Sequence, residues 1–562
     1  MAPDPDLAQR QSDVESEPNS SDKPFINQCF LASAVPTGEA MPSAAPRRAQ
    51  DVDARFAAAR AHDVAGRSGK AEALYRQILG KDARHPGALH ALGLIASKGG
   101  HAARAAQLLS KAAAASPLDA AVHCDLGNVL KALGRFDEAM IHHRRMVALC
   151  PTSPQALSNL GTTCAKAGLV EGALDYLRQA AALDPAHPEL YHNLGNGYLA
   201  AGRFENAAEA FERATDISPH HVRGMTNLGV AYKELGRLDD AERRFRAALD
   251  VAPEDADASW NLALARLMKG DWRSGWAAYE SRRQIPGFAM RRLDRAAWDG
   301  APLDGRTLLV HAEQGFGDTI QFMRYLRRLA EENDGVNFWC QDALARLLTG
   351  ISDRLTIVTD PPPRTDVHAP LLSLPHLLGG APPLAPEPAA YLSAEPERIL
   401  RWSRALVGPR FNIGIAWQGR PDYAADSRRS IPLHHFSPLA EDPDVRLVSL
   451  QKGHGVEQLE ALDWREKVLD FGSQLDRDGA FLDTAAVIST LDLVITSDTA
   501  IAHLAGALGA PVWLALAHVP DWRWGLTGDH TPWYPTMRLF RQDRPGDWTG
   551  VFTRIVKALD ER

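Results

Sequence analysis

The chain has no excess of basic residues. Its 562 residues carry 62 Lys and Arg against 70 Asp and Glu, a net charge of −8. A general nucleic-acid binder needs a cationic surface that displaces counterions from phosphates, so no nucleic-acid partner is expected. Cysteine is scarce. Cys29, Cys124, Cys150, Cys164 and Cys340 form no C-x-x-C pair and no even framework, which fits a reducing compartment and argues against structural zinc. No apolar run approaches the roughly 18 to 20 residues of a membrane span, so stable membrane insertion is not expected. The start, Met1-Ala2-Pro3-Asp4-Pro5-Asp6, lacks the basic and apolar parts of a signal peptide, and a cytoplasmic location is expected. What is present is ordinary globular composition, 45% hydrophobic and 23% charged. The length exceeds what one core can organise, so about two to four domains are expected.

Residues 1–50 are rich in Pro, Ser, Ala and Asp, with few large apolar side chains. They bury too little surface to offset the entropy of ordering, and the expectation is a disordered segment. From 51 to 290 the chain repeats. Leu-Gly pairs fall at 92/93, 126/127, 160/161, 194/195 and 228/229, and Leu262-Ala263 continues the register, each 34 residues after the last. Ala105, Ala139, Ala173, Ala207 and Ala241 keep that period, as do Pro117, Pro151, Pro185, Pro219 and Pro253. Small residues where two helices cross, and proline at each boundary, resemble the tetratricopeptide repeat, an α-solenoid of helix pairs. Residues 55–84 read as an earlier, less regular pair and 254–285 as the last. Trp260, Trp272 and Trp276 offer the last pair an apolar surface for docking on the next domain.

One column in the repeat bears on binding. Asp125, Asn159, Asn193, Asn227 and Asn261 each precede the Leu-Gly or Leu-Ala pair of their repeat. The first helix of such a repeat lines the concave face. A stack of amides there can hydrogen-bond the backbone of an extended peptide, and ordinary use of Asn at this repeat position is the other reading.

Beyond 295 short apolar runs alternate with helical stretches. Strands are predicted at 307–312, 336–339, 355–358, 411–417, 445–450, 491–496 and 512–514. Repeating β-α units imply parallel sheets with helices on both faces. Pro-rich sequence at 380–397 separates an N-terminal lobe, 295–397, from a C-terminal lobe, 405–562, and two Rossmann-like lobes facing a cleft are expected.

Three segments could carry chemistry. Ala312-Glu313-Gln314-Gly315-Phe316-Gly317-Asp318 follows a strand, where open α/β sheets place their sites. Asp318 there suits either a general base or a helix cap. Ser427-Arg428-Arg429-Ser430-Ile431-Pro432 brings guanidinium groups, whose planar donors suit phosphate oxygens, or form a solvated basic patch. Ser497-Asp498-Thr499-Ala500-Ile501-Ala502-His503 joins a strand to a small-residue helix, which is how an α/β domain presents backbone N–H groups to phosphate. Lys452, after the strand at 445–450, is a further phosphate candidate.

The segment opening at Ser497 resembles the nucleotide-sugar motif of the heptosyltransferases, glycosyltransferase family 9. Gly317-Asp318 resembles the Gly-Asp element after their first strand, and Arg429, three before Pro432, their basic residue. Asp521-Trp522-Arg523-Trp524 and Thr531-Pro532-Trp533-Tyr534-Pro535 look like the bacterial repeat-linked members. The Asn column is similar to the ladder of the O-linked N-acetylglucosamine transferase, which also joins repeats to a transferase. The resemblance implies a GT-B fold after the solenoid and an inverting, metal-independent glycosyltransferase. It implies Asp318 as base with Glu313 as second candidate, and Arg429 and Lys452 as phosphate contacts. Thr499 and Ala500 N–H groups would hold phosphate, Asp498 would bind sugar hydroxyls, and His503 would face the diphosphate or fix the turn. No cofactor is implied beyond the nucleotide-sugar donor. Asn159, Asn193, Asn227 and Asn261 would hold a protein acceptor, and layouts of this kind include flagellin glycosyltransferases that attach nonulosonic acids such as pseudaminic acid. The alternatives are a transferase acting on lipopolysaccharide or another glycan, and a repeat adaptor with a degenerate module.

Overall fold

The computed structural model describes residues 47–285, 288, 291, 293–380, 390–423 and 425–561. The segment expected to be disordered lies outside these residues as far as 46, as does Cys29, and a helix already begins at Arg47. The described residues divide into two compact units, one ending at Tyr232 and the other beginning at Lys233.

Among the described residues, fourteen α-helices follow one another from Arg47 to Tyr279, alternating in helix pairs. The 34-residue period has a packing cause. A Cβ on Gly93, Gly127, Gly161 or Gly195 would lie under 3.0 Å from Leu109, His143, Leu177 or Phe211 respectively. Each partner lies sixteen residues on, in the second helix of the pair, so the glycine lets that helix approach. A further register escaped the sequence reading. Gly66, Gly100, Gly134, Gly168, Gly202, Gly236 and Gly270 all have φ between +68° and +80°. They form the left-handed turn between the helices of each pair, where a side chain would be strained. The last helices, Leu238–Val251, Ala256–Met268 and Trp272–Tyr279, fall in the second unit.

The second unit carries two sheets, parallel throughout. The first runs β1 (Ala296–Ala297), β5 (Val367–Pro370), β2 (Leu308–His311), β3 (Val336–Trp339), β4 (Leu355–Val358) from edge to edge. The second runs β11 (Met537–Arg541), β10 (Val512–Leu516), β9 (Leu493–Thr496), β6 (Phe411–Ala416), β7 (Val445–Ser449), β8 (Val468–Leu469). The predicted strands are all present, while β1, β5, β8 and β11 were not foreseen. β1 and β8 are two residues long, too short for a pattern, and β5 contains a proline. The central strands are buried on both faces, as parallel strands covered by helices must be. One apolar cluster joins the first sheet, one face of the second and the last repeat helices. Ile413, Ile415, Ile495, Phe540, Phe552 and Ile555 build a separate cluster on the opposite face of the second sheet.

The docking expected of the three tryptophans is seen for two, while Trp260 packs on Tyr279 at 4.7 Å and Phe288 at 5.1 Å. Trp276 is fully buried and packs edge-on against Phe322 and Trp522, with ring centroids 5.8 and 5.3 Å away. Trp272 meets Trp533 at 5.8 Å. Of the Pro-rich stretch, 381–389 lies outside the described residues. The chain after it is anchored. The Tyr391 and Leu392 N–H groups both donate to the Ala507 carbonyl, and the Tyr391 hydroxyl donates to the Ile320 carbonyl at 2.9 Å. Among the described residues no helix is long and apolar enough to cross a membrane.

Gly195→Val, which drives a branched side chain into Phe211, lowers stability by about 1–3 kcal/mol. Gly172→Ala, on a helix with open space around its Cβ, raises it by about 0.5–1 kcal/mol. Urea unfolding of the full chain followed by circular dichroism reads both, and equal midpoints for the two variants would refute the close-approach account.

Candidate functional site

Two helix N-termini, one from each sheet, meet at Gly317. After β2 the chain turns through 312–315 into the helix Phe316–Glu332. Gln341 holds the turn, donating to the Gln314 carbonyl at 2.8 Å and accepting from the Thr319 hydroxyl at 3.1 Å. After β9 the chain passes Ser497, Asp498 and Thr499 into the helix Ala500–Ala507. A Cβ on Gly317 would lie 3.1 Å from the His503 ring and 3.4 Å from Ala500 Cα. Glycine is what lets the two helix starts come together.

The first helix begins earlier than its sequence suggests. Gly315 is the N-cap, so Asp318 sits on the first turn and is not itself the cap. Its carboxylate takes Arg523 Nη2 on Oδ1. Burial pushes the Asp318 carboxyl above the usual range. Arg523 and Arg429 pull against that, and Asp521 adds to it.

Glu313, five residues earlier, has a different environment. Arg282 donates to both its oxygens at 3.0–3.3 Å, and the Leu372 N–H donates to Oε2 at 3.0 Å. Neither side chain reaches solvent, at 0% exposure for Arg282 and 3% for Glu313. Arg282 also contacts Glu280, Ser373 and the Tyr279 carbonyl. Burial raises the Glu313 carboxyl, against the pull of Arg282, but the geometry decides its role. A carboxylate held on both oxygens in a sealed ion pair secures the turn Glu280–Gln284, which follows the last repeat helix, to the first sheet, and does not suit a base.

In the second sheet, Arg429 ends the helix Asp426–Arg429. Its Nε donates to Asp426 Oδ1 at 3.1 Å, and its guanidinium carbon lies 4.4 Å from the centre of the Tyr423 ring. Asp498 is 9% exposed. Burial and Asp521 push its carboxyl upward, opposed by Arg429 and Arg523. The Ser497 and Thr499 hydroxyls are buried and make no hydrogen bond among the described residues, although Thr499 is the N-cap of its helix. A hydroxyl out of water without a partner is costly, and a helix N-terminus is a place that favours an anion. His503 does not face this point. Its Nδ1 pairs with the Tyr534 hydroxyl at 3.0 Å, its ring stacks on Trp524 at 5.5 Å, and burial among Arg523, Arg324 and Arg429 holds it neutral.

A cavity of about 120 Å³ opens beside these groups, lined by Arg429, Asp498, Asp521 and Tyr423. Lys233, Glu234, Leu264 and Met268 of the last repeats form its other wall. Asp318 does not line it, but reaches Asp521 through Arg523. Lys452 lies apart, donating to the Leu475 carbonyl at 2.8 Å and pairing with Asp476 at 3.4 Å. Arg523 is the residue that sequence reading passed over. Its only signal was a place in the Asp-Trp-Arg-Trp segment.

The amide column is partly engaged within the repeats. Asn159 donates to Cys124 Sγ and accepts from Gln155, and Asn193 donates to Ser158 Oγ at 3.0 Å. Asn227 donates to Asn196 Oδ1 at 2.9 Å and pairs with His192 Nε2 at 3.0 Å. These partners, apart from Gln155 and Asn196, stand 35 residues earlier. Asn159, Asn193 and Asn227 therefore strap their repeats to the ones before. Asn261 donates to the Asp257 carbonyl of its own helix.

The fold and these sites define a repeat protein with a second, α/β part. Residues 52–77, 90–154, 152–220 and 198–267 each match a tetratricopeptide-repeat model, so the N-terminal region is a tetratricopeptide solenoid. The chain is 28% identical over 337 residues to Protein FlbA of Caulobacter vibrioides, covering 53% of each, and so spans about half the length of that curated relative. Among solved structures, MamA is 27% identical and covers 29% of this chain and 96% of its own, with a TM-score of 0.27. TTC0263, a thermophilic TPR protein of Thermus thermophilus, is 23% identical and covers 32% and 99%, with a TM-score of 0.30.

Glu313→Gln removes one of the two carboxylates that balance the buried Arg282 and leaves it Glu280 alone. It lowers stability by about 1–3 kcal/mol, measured as the shift in urea midpoint of the full chain. An unchanged midpoint would mean that the pair does not hold the turn after the last repeat helix.

Proposed function

We propose that the protein is a glycosyltransferase of GT-B type that moves a sugar from a nucleotide-sugar donor to Ser or Thr of a polypeptide recruited by the repeats. The observation that carries this reading is the meeting at Gly317 of two helix N-termini from two parallel sheets. Asp318 stands next to Gly317 on the first of these helices, Thr499 and Ala500 open the second, and Arg429 is near enough for its charge to act on Asp318. Asp318 takes the proton of the acceptor hydroxyl while its oxygen attacks the anomeric carbon. The bond from that carbon to the donor phosphate breaks, and a single displacement inverts the centre. Negative charge grows on the leaving phosphate. Arg429, the helix N-terminus and the unpartnered Thr499 hydroxyl stabilise it. Asp498, beside the cavity, is suited to the sugar hydroxyls. The cavity is smaller than the roughly 300–1,000 Å³ of pockets that enclose a drug-sized ligand, so a donor occupies it only in part.

The tetratricopeptide region supports a protein acceptor, since such repeats commonly bind proteins. The straps made by Asn159, Asn193 and Asn227 mean that the concave face as a whole, and not the amide column alone, carries recognition. Flagellin is the acceptor proposed, with a nonulosonic acid such as pseudaminic acid as the sugar.

The test is the intact mass of flagellin from cells carrying the wild-type gene or the Asp318→Ala allele. The expected result is repeated sugar-sized increments in the wild type and their loss in the variant. Glycosylated flagellin of unchanged mass in the variant would remove Asp318 from the reaction, and flagellin without increments in either strain would remove flagellin as acceptor.

A further inference from the structure

Arg523 connects the two sheets through the residue proposed as the base. It stands in the short turn Trp522–Trp524 that follows β10. Asp521 Oδ1 accepts both the Arg523 backbone N–H at 3.1 Å and Nη1 at 2.8 Å, so one oxygen fixes the turn and the guanidinium together. From there the side chain reaches the helix Phe316–Glu332 of the other sheet. Nε donates to Gln321 Oε1 at 2.5 Å and Nη2 donates to Asp318 Oδ1. Asp318 and Gln321 are three apart and share a helix face, so one planar fork meets both. The fork also lies against the Trp522 ring, 4.5 Å from its centre.

These contacts have separable roles. Asp521 and Gln321 hold Arg523 without Asp318. The nitrogen that remains is thereby presented to Asp318 as a fixed cation. We propose that Arg523 is the positioning residue that keeps the Asp318 carboxylate ionised and aimed for proton abstraction. This role rests on Asp318 being the base of the transfer reaction.

The surroundings show why a cation is needed. The turn supplies Arg523 and Asp521, the helix Asp426–Arg429 supplies Arg429, and Asp498 precedes the helix Ala500–Ala507. His503 of that helix is neutral. Tyr279 of the last repeat helix is a phenol that burial holds well above its usual range, so it brings no charge. Burial and Asp521 both favour a protonated, inactive Asp318, while Arg523 and Arg429 oppose them. Only Arg523 touches the carboxylate among these described groups. In the reaction the hydroxyl proton passes to Asp318, the oxygen's electron pair forms the new C–O bond, and the displaced pair leaves on the donor phosphate. The Arg523 charge is then matched by Asp521 alone.

The test is the pH dependence of kcat/KM for sugar transfer by the full chain to flagellin, read by intact mass between about pH 5 and 9. Arg523→Gln removes the opposite charge, and the acidic limb moves to higher pH by about one to three units. Arg523→Lys keeps the charge and leaves the limb in place, at a lower rate. Asp521→Asn removes a like charge and moves the limb to lower pH. Thermal midpoints show whether each variant folds, and if Arg523→Gln does not, the comparison of Arg523→Lys with Asp521→Asn decides. Profiles that superimpose on the wild type apart from a common scale would overturn the role of Arg523 and leave it a structural tie. Asp318→Asn at the wild-type rate would instead overturn the base beneath it.

Discussion

Arg523 has only a tenth of its side chain exposed, between Asp318 and Asp521 and against the Trp522 ring. A guanidinium removed from water loses several kcal/mol of hydration, and only a full set of well-aligned acceptors offsets that. The turn Trp522–Trp524 must therefore adopt the shape that aims three nitrogens at Asp521, Gln321 and Asp318. The helix Phe316–Glu332 must present the last two on one face. Much of the geometry between the sheets follows from this one buried cation. Arg324 repeats the device on the same helix, donating to the Trp533 carbonyl at 2.6 Å and to the Tyr391 hydroxyl at 3.4 Å.

Glu313 and Asp318 show how position divides one loop. Both carboxylates follow β2 and both are pushed upward by burial. Glu313 faces the repeat helices, where Arg282 closes over both oxygens. Asp318 lies one helical turn in, beside the start of the second sheet's helix, where Gly317 leaves room. A shared direction of shift thus accompanies different surroundings. The partners that close over each carboxylate separate the two residues more sharply than their acidity does.

The last repeats belong physically with the α/β part. Trp276 and Tyr279 are buried against Trp522, and Lys233, Glu234, Leu264 and Met268 wall the cavity. Glu234, tied to Arg428 across that wall, links a repeat helix to the segment that carries Arg429. The last repeat helices and the cavity therefore share a boundary made of side chains.

The sequence by itself determined the repeat register, the helix pairs and most of the strands. Gly93, Gly127, Gly161 and Gly195 each meet a partner at a constant offset, sixteen residues on, so the contact is written as periodicity along the chain. Buried parallel strands announce themselves as apolar runs in the same way. The Asn column was legible as a column, but its partners, one repeat earlier, were not read, and the strap it forms went unseen. Tertiary structure alone decided which charged groups meet. Asp318 and Arg523 stand 205 residues apart, and nothing local in either segment marks the other as its partner. Glu313 resembled a second base until Arg282 closed over it, and Lys452 a phosphate ligand until Asp476 and the Leu475 carbonyl claimed it. Local pattern sets local conformation, whereas the state of a buried charge depends on every group the fold brings within a few ångströms of it.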